Sequence, residues 1–126
     1  MENTCDFEIK QNGIKYIINL GIIDNILQIN CYESQNNNNN EFSGQYLHEQ
    51  IKQFSPMFSL TNSIQEDFEK FKRAIESGKV KINKNENNEI YLTFILEDEI
   101  NQNVEIPLEF NTNFNTLFYY IFPLKK

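Results

Sequence analysis

No tryptophan, a single histidine and only two cysteines occur in 126 residues, and each scarcity removes a class of function. Zinc sites need Cys and His clustered at short spacing. Cys5 and Cys31 lie 26 positions apart, and His48 stands far from both. A cysteine nucleophile needs a nearby base, and neither thiol has one in sequence. The four glycines, Gly13, Gly21, Gly44 and Gly78, match no phosphate-cradling spacing. The longest apolar run covers residues 117–122, whereas a bilayer span needs about 20. Two cysteines also fall short of the framework that staples small secreted domains.

Positive charge is scarce too. Eighteen acids face eleven bases, for a net charge of −7. This disfavours nucleic acid as the main partner, because phosphate contact needs a positive footprint. Anionic membrane surfaces are disfavoured for the same reason. The acidic run Glu97-Asp98-Glu99 lacks the alternating ligands and central glycine of a calcium hand, so it reads as a solvated hairpin tip. No enzyme, metal or cofactor is expected. The polar, acidic stretch Met1-Glu2-Asn3-Thr4-Cys5-Asp6 lacks the pattern of a signal peptide, and the chain has no Asn-x-Ser/Thr sequon. A cytoplasmic, intracellular protein is the expectation.

What the chain has is β-pattern, asparagine and phenylalanine. Asparagine fills about one position in six, and its densest tract, within residues 36–41, reads as a flexible loop. Phe7 and Ile9 alternate with polar neighbours, and Asn12-Gly13 is a two-residue hairpin signal. Ile14, Tyr16, Ile18 and Leu20 continue one apolar face. A second turn at Asp24-Asn25 leads to Leu27, Ile29 and Cys31. This is a three-strand meander with one buried side, and residues 42–45 either add a short strand or approach a helix. Leu47, Ile51 and Phe54 keep helical spacing until Pro56, with His48 solvated on that helix and Met57, Phe58 and Leu60 filling the gap to the next.

The next helix has the fullest signature. Ser63 and Glu66 have capping-box spacing, Ile64, Phe68, Phe71 and Ile75 form one stripe, and Gly78 supplies the left-handed stop. The period then returns to two. Val80 and Ile82, then Ile90, Leu92, Phe94 and Leu96, then Val104, Ile106, Leu108 and Phe110 mark three strands, with Pro107 pointing to an edge. The fold class is therefore α+β: an antiparallel β-sandwich or open barrel with a two-helix unit inserted between the first three or four strands and the last three. Residues 1–110 form the domain. Residues 111–126 form an aromatic tail that adds a strand, wraps the domain or docks on a partner.

Two features point to partners. Lys70, Lys72, Arg73, Lys79, Lys81 and Lys84 are six of the eleven bases, offset locally by Glu76 alone. Cations near a helix C-terminus complement its dipole, and outward strand positions often carry lysine. The same cluster also suits docking of an acidic protein. The second feature is the aromatic tail, with Phe118, Tyr119, Tyr120 and Phe122.

This order of strands, helical pair and three closing strands resembles the globular head of the scaffold superfamily that includes the centriolar cartwheel protein and the end-joining repair scaffolds. The likeness runs from Phe42-Ser43-Gly44 through Leu47, Phe54, Ile64 and Gly78 to Val80 and Phe110. It implies a small β-sandwich that serves scaffolding rather than chemistry. Members continue into a long coiled coil, whereas residues 111–126 show no heptad and contain Pro123, so no functional residue is carried over. The combined expectation is a protein-interaction or scaffold domain, a subunit of a cytoskeletal or other large assembly. The alternative is an accessory factor of a nucleic-acid complex using the lysine cluster.

Overall fold

The computed structural model describes residues 4–35, 38–84, 89–97 and 101–110. Two positive-φ turns begin the chain. Asn12 and Gly13 (φ 55° and 78°) and then Asp24 and Asn25 (φ 53° and 62°) both take the geometry that matches strand twist. They join β1 (Thr4–Gln11), β2 (Ile14–Ile23) and β3 (Ile26–Gln35) into the expected meander. Alternation places Tyr16, Ile18, Leu20, Leu27, Ile29 and Cys31 inside. On the outer face, Asp6, Asn19 and Asn30 stand abreast and bond in sequence, Asn19 to Asp6 at 2.5 Å and Asn30 to Asn19 at 3.3 Å. Some of the abundant asparagine is thus cross-strand glue.

The fourth strand is longer than its sequence signal. β4 runs Asn38–Leu47 and pairs with β3 from Gln35↔Asn38 to Ile26↔Leu47. The asparagine tract expected to be a loop therefore enters the sheet at Asn38, and the Asn40 amide donates to Glu33 at 2.9 Å. At the other end, Leu47 belongs to the strand and is 49% exposed, so it does not lead a buried helical stripe. α1 is only His48–Ile51, opened by the Gln50 side chain accepting the Leu47 N–H. A 3-10 turn, Pro56–Leu60, follows. Phe58 fills the gap between helices as expected, but Leu60 is 80% exposed and does not.

α2 (Ile64–Glu76) carries the expected stripe. Ile64, Phe68, Phe71 and Ile75 are all buried, and the helix packs on β2, β3 and β6. Phe71 sits between Phe58 and Phe94, with ring centroids at 5.1 and 4.7 Å. Ser63 accepts the Glu66 N–H, but the Glu66 carboxylate accepts from Asn62 N–H rather than from Ser63. At the far end Gly78 has φ 72°, Gly78 N–H donates to Ile75 and Lys79 N–H to Ala74. That pair of bonds is a Schellman stop.

β5 (Val80–Lys84), β6 (Ile90–Glu97) and β7 (Asn101–Phe110) close the fold. The seven strands are antiparallel, in the order β1-β2-β3-β4-β7-β6-β5, and curl into a nearly closed barrel with the helices inserted between β4 and β5. β7 is therefore interior, against the edge position inferred from Pro107. The proline is tolerated because the β4–β7 ladder holds only Phe42↔Phe110 and Ser43↔Glu109, and has ended before it. Phe110, expected inside, is 40% exposed and meets the Phe42 ring edge-on at 5.5 Å.

The two edge strands meet through a side chain. Gln11, the last residue of β1, donates its amide N–H to the Ile82 carbonyl at 2.6 Å and accepts the Ile82 N–H at 3.0 Å. One glutamine thus makes the two bonds that a residue of a neighbouring strand would make.

Candidate functional site

The Schellman stop decides where the cations go. It turns the chain sharply after α2, and Lys79 is fixed on both sides of its backbone: its N–H donates to Ala74, and its carbonyl accepts Ile95 N–H at 2.8 Å. Lys79 is thereby brought alongside Lys70 and Arg73 on the last turns of the helix. Together with Ala74, Ser77, Ile95 and Leu96 they line a cleft of about 150 Å³. Three cations surround a partly apolar floor at the carbonyl end of a helix. This arrangement suits a carboxylate-bearing side chain of modest size.

The other expected partner-binding residues scatter. Lys81 is exposed on β5, opposite Thr93. Lys84 faces a different neighbourhood. Its ammonium donates to both Glu33 oxygens at 3.1 Å and stands 5.7 Å from the centre of the Phe42 ring. Glu33 is 2% exposed and also accepts from Asn40 and, at 3.4 Å, from Tyr16. Phe118, Tyr119, Tyr120 and Phe122 lie outside the described residues.

Sequence reading missed one polar cluster. His48, expected in solvent, has a side chain only 18% exposed, and its Nδ1 lies 2.5 Å from Asp67, which is fully buried in α2. The buried Thr61 hydroxyl donates to the other carboxylate oxygen at 2.6 Å. A nucleophilic triad places the imidazole between hydroxyl and carboxylate. Here the buried carboxylate is in the middle and the imidazole does not reach the hydroxyl, so the cluster ties α1 and the residue after the 3-10 turn to α2. The available signal was an acid at the fourth position of an amphipathic helix, one residue before Phe68 on the buried side.

The thiols are free and insulated. Cys31 is fully buried; that burial, with Glu33 nearby, pushes its pKa up to about 12. Burial also raises Cys5, although Lys72 opposes it. β2 separates the two cysteines. Among the described residues no three of His, Cys, Asp and Glu gather as metal ligands would, and no helix is long and apolar enough to cross a membrane.

No family model matches the chain, and no curated protein matches it. Among solved structures, the head domain of human CCDC61 is similar, with a TM-score of 0.67 at 10% identity. The match covers 86% of this chain and 97% of that one. At such low identity the likeness establishes the fold alone.

Proposed function

We propose that this chain is a non-catalytic head domain: an intracellular interaction or scaffold module that serves a cytoskeletal or other large assembly. The observation that carries this reading is the overlay on nearly the whole of another head domain, 97% of its length. The polar clusters support it, because each is spent on joining elements of the fold. In this reading residues 1–110 form the head and 111–126 a separate segment. Protein partners meet the cleft of Lys70, Arg73 and Lys79, the exposed Lys81 on β5, or the aromatic residues Phe118, Tyr119, Tyr120 and Phe122. Lys84 is joined to Glu33 away from that cleft, so in this reading it is not counted with the cleft's cations.

The test is affinity capture with the full chain and with a Lys70→Glu, Arg73→Glu, Lys79→Glu variant whose fold is verified by circular dichroism. The expected result is a reproducible set of proteins retained by the wild type and lost by the variant. Equal capture by both removes the cleft. Titration of labelled oligonucleotides at rising salt separates the alternative: tight binding that falls steeply with salt would make the chain a nucleic-acid accessory factor instead.

A further inference from the structure

A second cleft is wider than the one lined by lysine. β4 is bonded to β3 along its whole length, yet on its other side it meets β7 at two positions only. From Gly44 onward the two strands part. The Tyr46 ring folds back over Gly44, where a Cβ would stand 2.8 Å from that ring and 2.9 Å from Leu108, and the Tyr46 hydroxyl reaches across to donate to the Pro107 carbonyl. The parting leaves a cleft of about 620 Å³. Tyr46, Tyr91 and Pro107 supply its apolar surface, and Glu89 and Glu109 its charge. Over residues 44–47 the side of β4 that faces the cleft has no strand partner among the described residues.

Sixteen residues follow Phe110, and Phe110 ends the strand that forms one wall of this cleft. Extended, they reach up to about 50 Å, far more than a return to the cleft needs. Their composition complements it. Phe114, Leu117, Phe118, Tyr119, Tyr120, Ile121 and Phe122 are too apolar to favour open water, and Lys125 and Lys126 are the only cations beyond Lys84. Aromatic rings match an aromatic and proline wall, and a lysine pair matches two glutamates.

We propose that residues 111–126 turn back into the β4–β7 cleft, laying aromatic side chains on Tyr46, Tyr91 and Pro107 and bringing Lys125 and Lys126 to Glu89 and Glu109. The inference goes beyond the scaffold reading and does not depend on it, but it chooses between that reading's two surfaces: with the aromatic residues seated here, the cleft of Lys70, Arg73 and Lys79 is the one left for partners.

Paramagnetic relaxation on the full chain tests it. A nitroxide is placed at Leu124→Cys in a Cys5→Ser background; Cys31 is buried and is left unchanged. In ¹⁵N-labelled protein the amides of Gly44, Gln45 and Tyr91 should lose most of their intensity relative to the reduced label, while those of Arg73 and Ser77 keep theirs. Adding Lys125→Glu and Lys126→Glu should restore much of the lost intensity. Uniform weak losses, losses centred on Arg73 and Ser77, or unchanged losses after charge reversal would each overturn the assignment. So would losses that persist when the label sits on one copy and ¹⁵N on another, because the occupant would then be a second copy's tail.

Discussion

At the scale of single residues, Glu33 shows how the barrel tolerates charge. Burial raises its pKa, but donation from Asn40, Lys84 and Tyr16 outweighs that and holds the carboxyl below its usual range. A folded pKa below the unfolded value, about 4.3, means the contribution is present above that value and is lost as pH falls through the folded one. The urea midpoint should therefore drop below about pH 4. Glu33→Gln should shrink that drop while costing about 2 kcal/mol at pH 7, because a partly exposed ammonium loses its counter-charge. The neighbouring Cys31 gives a second check. With its thiol at about 12, it should resist a disulfide reagent until the protein unfolds, and Cys5 should react slowly in the native state. Glu33 was half legible. It shares parity with Leu27, Ile29 and Cys31, so alternation alone puts it inside. Its counter-ion is 51 positions away, and nothing local announces that distance.

Among the elements, legibility followed the number of independent signals. α2 had three, namely a cap, a stripe and a stop, and its limits and buried face match them. Phe68→Ala should cost about 3–5 kcal/mol in chemical denaturation; wild-type behaviour would mean the helix is not docked. α1 had one signal, the spacing of Leu47, Ile51 and Phe54, and the same residues suit a strand end followed by a turn. β4 won because pairing with β3 satisfies the backbone through Leu47. The asparagine tract was misread for a related reason. Asparagine is a weak strand former, but a partner strand already in register overrides propensity. His48 was misplaced because its contact, Asp67, is on a different helix.

For the whole molecule, the count and order of elements were readable and the closure was not. Whether seven strands make a sandwich or a barrel depends on the two β4–β7 pairs and on one side chain bridging β1 and β5, and neither contact has a sequence signature. Gln11→Ala removes both bonds to Ile82 and should cost about 1–2 kcal/mol, with faster hydrogen exchange at the Ile82 amide than at amides of the β2–β3 ladder. If that exchange stays unchanged, the clasp contributes nothing. The clasp also has a kinetic meaning. It joins positions 71 apart, across both helices, so it can form only after the chain between has been arranged. A contact made that late is absent from the folding barrier. Its removal should quicken the opening of the native state and leave the refolding rate nearly untouched, making Gln11 the latch that sets how long the molecule stays shut.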